Sequence, residues 1–97
     1  MSDSTILDEA LAELNELRGE IEQIDRELIA RRVDLARRVG AAKRRAGLPT
    51  LDPAREAAVV RRAGALAREA NLDDEDVRYI FWHLIGLSRR MQMEARS

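Results

Sequence analysis

The chain has no cysteine and one histidine, so disulfides, thiolate metal sites and a thiol nucleophile are excluded, and His83 alone cannot build a zinc site. Aromatic residues make up 3% of its 97 residues, too few for the stacking platforms that carry single-stranded nucleic acid. An excess of charge is also missing: 17 basic and 18 acidic residues leave a net charge of -1, whereas a nucleic-acid binder usually carries a basic excess. No apolar run approaches the roughly 18 residues a membrane span requires. The opening residues are acidic and amphipathic, unlike a signal peptide. The expectation is a soluble, cytoplasmic protein with no metal or redox cofactor and neither nucleic acid nor membrane as partner. Proline occurs only at Pro49 and Pro53, and no strand-like alternation, internal repeat or low-complexity tract is found.

What is present is helix-forming. Hydrophobic residues make up 45% and charged residues 36%, with Ala, Leu, Arg and Glu dominant. Apolar residues recur at helical spacing from about residue 5 to 46, with Thr5 and Asp8 as a weak capping box. Gly47-Leu48-Pro49 closes this segment as a C-cap glycine followed by proline. Asp52 as N-cap and Pro53 at the first helical position open a second helix, about 53–70, with Val59, Val60, Ala63, Leu66, Ala67 and Ala70 on its apolar face. Asn71-Leu72-Asp73 breaks it. Asp73 caps a third helix, about 74–95, whose stripe is Val77, Ile80, Phe81, Leu84, Ile85, Leu87 and Met91. The fold class expected is all-α, a single domain over residues 1–97 with one long and two shorter helices. A first helix of roughly 40 residues spans about 60 Å, more than the two shorter helices can cover, so an intertwined homodimer of three-helix protomers is expected.

The apolar stripe of the first helix, Leu14, Leu17, Ile21, Ile24, Leu28, Leu35 and Val39, runs through Arg32 and ends on Lys43. A buried cation costs several kcal/mol unless an anion meets it. Arg32 and Lys43 are eleven residues apart, about three turns, and so share a face; Arg18 lies near the same face. Arg55 and Glu56 sit in the first turn of the second helix, and Ser88 and Gln92 are one turn apart on the third. Converging, these residues form a pocket for a small dianion whose reaction needs positioning and electrostatics rather than proton transfer. The plainer alternative is that the cations snorkel to solvent and that Ser88 and Gln92 are ordinary surface residues. Trp82 and His83 read as packing or surface residues. Spacing alone supports a helical anion-binding or interaction domain.

The order of these pieces resembles the all-helical chorismate mutase family. The carrying strings are Leu17-Arg18-x-x-Ile21-x-x-Ile24-Asp25, Arg32-x-x-Leu35-Ala36-x-x-Val39-Gly40-x-x-Lys43, Pro49-x-x-Asp52-x-x-Arg55-Glu56, Leu72-Asp73, Ile80-Phe81 and Ser88-x-x-x-Gln92. The resemblance implies a cofactor-free rearrangement of chorismate to prephenate, on the branch toward phenylalanine and tyrosine, in a homodimer whose two active sites each take one arginine from the partner. It implies that Arg32 clamps one substrate carboxylate and that the partner's Arg18 holds the other. Lys43 and Gln92 would donate to the ether oxygen, and Glu56 would accept from the ring hydroxyl with Asp52 nearby. Arg55 and Ser88 would sit by the ring carboxylate. The catalytic set is thus Arg32, Lys43, Gln92 and Glu56, and the substrate-binding set Arg18, Asp52, Arg55 and Ser88.

One departure concerns Arg18. The segment from Ile24 to Arg32 is about three residues shorter than the family's usual spacing, which moves what precedes it by ~4.5 Å and about 60°. By motif the trans arginine is Arg18; by strict spacing Asn15 takes that place. Alternatives on the same scaffold are an isochorismate pyruvate lyase or an aminodeoxychorismate mutase. A non-catalytic dimerisation or regulatory module is a third, and docking of another enzyme is a further expectation.

Overall fold

A computed structural model describes residues 3–94, and three helices make up its secondary structure: α1 (Asp3–Ala46), α2 (Pro53–Glu69) and α3 (Asp74–Glu94). No strand occurs among the described residues, so the fold is all-α with one long and two shorter helices, as expected. The expected end of the third helix at residue 95 lies outside the described residues. α1 already includes Asp3 and Ser4, so Thr5 lies inside its first turn and not at the N-cap position expected for it. Among the described residues no helix is long and apolar enough to cross a membrane.

The helix ends follow the chemistry of their residues. At the end of α1, Gly47 takes φ +69, a left-handed conformation that costs glycine nothing and other L-residues about 1–2 kcal/mol. The Leu48 N–H then donates to the Lys43 carbonyl at 2.8 Å and the Gly47 N–H to the Arg44 carbonyl at 3.2 Å, a Schellman closure. α2 ends in the same way on Asn71, at φ 59, with the Leu72 N–H donating to the Ala67 carbonyl at 2.8 Å. Asp52 Oδ1 caps α2 by accepting from the Arg55 N–H at 3.1 Å, with Pro53 in the first turn. Asp73 Oδ1 caps α3 by accepting from the N–H groups of Glu75 and Asp76 at 2.8 and 3.2 Å.

The chain divides into two compact units, one up to Arg31 and one from Arg32 onward. In the first, α1 has a polar face laced by Glu22–Arg26 and Gln23–Glu27 pairs. Its apolar stripe is uncovered within the chain: Ile24 is 64% and Ile21 58% exposed.

In the second unit, small residues let the helices approach closely. Ala63 and Ala67 of α2 are fully buried beside Gly64, and Ile85 of α3 and Ala36 of α1 are also buried. Leu66, Ala70 and Ile80, expected on apolar faces, are exposed. Arg68 pairs with Asp74 at 2.6 Å and ties the end of α2 to the start of α3, where Arg78, one turn further on, pairs with the same carboxylate at 3.3 Å. The end of α1 meets α3 at Gly40: a Cβ built there would lie 2.7 Å from the Gln92 carbonyl oxygen and 2.9 Å from its Cα. Only glycine allows that approach, and it sets the geometry of the site.

Candidate active site

α1 contributes Arg32, Leu35, Ala36, Val39 and Lys43 to a cavity of about 370 Å³ lying wholly within the second unit. The spacing of these residues places them on one helical face, so the cations that interrupt the apolar stripe do line a pocket. α2 offers its first turns: Asp52, Arg55, Glu56 and Val59. α3 closes the cavity with Ile85, Ser88, Arg89 and Gln92. Four cations face two carboxylates, so the lining has a net formal charge of +2. No histidine, cysteine or tyrosine is among these residues.

The close contact at Gly40 places Lys43 one turn further along α1, beside Gln92. Lys43 Nζ donates to Gln92 Oε1 at 2.7 Å and to the Thr50 carbonyl at 2.8 Å. An ammonium has three N–H groups and no acceptor. Lys43 therefore keeps one donor beyond these two, and the oxygen of Gln92 is the atom that must face it. The Gln92 NH2 is left as a donor. Arg32 Nε is buried without a hydrogen-bond partner. A buried cationic donor in that condition is costly, and an anion in the cavity would relieve it.

Glu56 is engaged from the opposite wall. Arg89 forks onto it, Nε donating to Oε2 at 3.2 Å and a terminal nitrogen donating to Oε1. The Glu56 side chain is 19% exposed and that of Arg89 41%. The hydrogen bond to Glu56, and then its negative charge, raise the already high pKa of Arg89. Asp52 divides its role, lining the cavity while capping α2.

Seven of the eight residues singled out in the sequence converge here: Arg32, Lys43, Asp52, Arg55, Glu56, Ser88 and Gln92. Arg18 lies in the N-terminal unit, exposed, and does not line this cavity. Trp82 and His83 are exposed, and the His83 ring meets Tyr79 edge-on at 4.9 Å. Arg89 was missed in the sequence. Its signal was present, since Ile85, Ser88, Arg89 and Gln92 follow helical i, i+3, i+4, i+7 spacing, but it sits in an Arg89-Arg90 doublet that reads as solvated charge.

Fold and pocket together define a small three-helix protein with a cavity whose lining carries net positive charge. The chain belongs to the chorismate mutase type II family of isomerases, whose family model matches residues 17–93. It is 34% identical over 87 residues, covering 87% of this chain and 88% of the relative, to a protein of Methanocaldococcus jannaschii described as a chorismate mutase. No solved structure matches the chain at comparable stringency.

Proposed function

We propose that the protein catalyses the rearrangement of chorismate to prephenate without a cofactor, by electrostatic clamping of the substrate dianion. The observation that carries this reading is Arg32, with its buried, unpartnered Nε in a pocket of excess positive charge within the family-matched residues. In the reaction one C–O bond breaks while one C–C bond forms, and no proton or electron passes to the protein. Catalysis then rests on holding the reactive conformer and stabilising the charge that develops on the ether oxygen.

Arg32 clamps one carboxylate through a bidentate fork. The remaining N–H of Lys43 and the NH2 of Gln92 converge on the ether oxygen; the 2.7 Å bond between these two side chains supports that assignment. Arg55 and Ser88 serve the ring carboxylate, and Glu56 accepts from the ring hydroxyl beside Asp52. Arg18 completes the site from a second copy. The uncovered stripe of Leu14, Leu17, Ile21, Ile24 and Leu28 supports a homodimer, because such a surface in water favours association. The 97 residues act as one chorismate mutase-like domain of the cytoplasm, serving phenylalanine and tyrosine biosynthesis, with a second enzyme as a possible docking partner.

The test is incubation of the purified protein with chorismate, and in parallel with isochorismate, with products identified by NMR. Prephenate formed well above the spontaneous rate is expected. Pyruvate from isochorismate, or turnover of neither compound, would overturn the reading.

A further inference from the structure

Arg89 has no part in the roles above, yet it lines the cavity and holds both oxygens of the one carboxylate proposed to receive the ring hydroxyl. Resting on the functional reading just given, we propose that Arg89 is a specificity-determining positioning residue: by pairing with Glu56 it makes the pocket accept a neutral hydroxyl on the substrate ring and reject an ammonium at the same place.

The charges decide the matter. Asp52 has one oxygen committed to the α2 cap, so Glu56 is the carboxylate free of backbone duties. Standing alone, a half-buried Glu56 anion would attract a cation, and a ring ammonium would gain both a hydrogen bond and a charge pair. With Arg89 forked onto it, the pair is neutral as a whole and a guanidinium stands within a few ångströms of any incoming group. An ammonium then meets attraction and repulsion together and loses its water without compensation. A hydroxyl needs only an acceptor lone pair. A carboxylate oxygen has more than one, so Glu56 can keep its bond to Arg89 and still accept. Arg89 also fixes the Glu56 rotamer, because two parallel N–H···O bonds leave the carboxylate little freedom. Discrimination built on an unwelcome charge is a general route to specificity.

The experiment compares kcat/KM for chorismate and for 4-amino-4-deoxychorismate in the wild-type protein, Arg89→Met and Arg89→Lys. The wild type should prefer chorismate. Arg89→Met should reduce the chorismate-to-amine ratio at least tenfold, chiefly by improving turnover of the amine, while Arg89→Lys should keep the ratio near that of the wild type. Both substrates are measured on one preparation, so partial unfolding of a variant cancels from the ratio. An unchanged ratio in Arg89→Met, or an equal loss on both substrates, would overturn the proposal and leave the mutase reading intact. A wild type that turns over neither substrate would overturn both.

Discussion

At the residue scale, the site depends on one glycine and one amide. Gly40 lies so close to the Gln92 backbone that an added methyl would require α1 and α3 to part. Gly40→Ala should therefore destabilise the protein by about 1–3 kcal/mol and lower kcat, because Lys43 and Gln92 would lose their register; urea denaturation with steady-state kinetics checks both effects. Gln92 donates without needing a proton, so the wild-type rate should not fall above about pH 5 on account of this position. In Gln92→Glu the side chain donates only when protonated. Its rate should be present below the carboxyl's pKa and lost as pH rises through it. The ordinary value is about 4.3, and the neighbouring Lys43 Nζ would pull the new carboxyl lower. A pH–rate profile of the variant that stays flat from pH 4 to 8 would remove Gln92 from the mechanism.

At the element scale, capping and catalysis separate at two aspartates. Asp73 caps α3 and does not line the cavity. Asp73→Ala should cost about 1 kcal/mol and leave kcat/KM unchanged. Asp52 caps α2 and faces the cavity. Asp52→Asn keeps an acceptor oxygen for the Arg55 N–H, and should leave stability within a few tenths of a kcal/mol while changing kcat/KM through the lost charge. Thermal melts of the two variants beside their kinetics separate the roles. The elements themselves were legible because their punctuation is local: glycine and asparagine at left-handed positions, aspartate at N-caps, proline in the first turn. Thr5 misled because a threonine with an acid three residues on also fits inside a first turn, and Asp3 and Ser4 before it are themselves cap-favouring residues, so the local pattern offers several starts.

At the scale of the whole molecule, burial within one chain is slight. Among the described residues the buried hydrophobic ones are Ala36, Ala63, Ala67 and Ile85, while Leu14, Leu17, Ile21 and Ile24 are exposed. A second copy is the proposed cover, and sedimentation velocity should find a dimer at micromolar concentration. Arg18→Ala should lower turnover at least tenfold, as should Arg32→Ala. If sites are shared, mixing the two crippled variants under exchange should restore about a quarter of wild-type activity, since half of the dimers would be mixed and each would hold one intact site. No recovery, with exchange verified by mass spectrometry, would show that Arg18 and Arg32 do not meet across an interface, and would direct attention to Asn15.

The sequence by itself determined the three helices, the caps of the second and third and the face on which Arg32 and Lys43 lie, because period and punctuation act between residues within a few positions of one another. It also carried the family, through the order of short motifs from Leu17 to Gln92. Which long-range pairs form was decided only by the tertiary structure. The Gly40–Gln92 contact spans more than half the chain and depends on backbone proximity, which no local pattern records. The fork of Arg89 on Glu56 likewise joins α3 to the start of α2. In sequence Glu56 stands out as a site candidate but Arg89 is one of a charged doublet, and nothing local marks them as partners; in the packed unit each loses part of its water and takes the other.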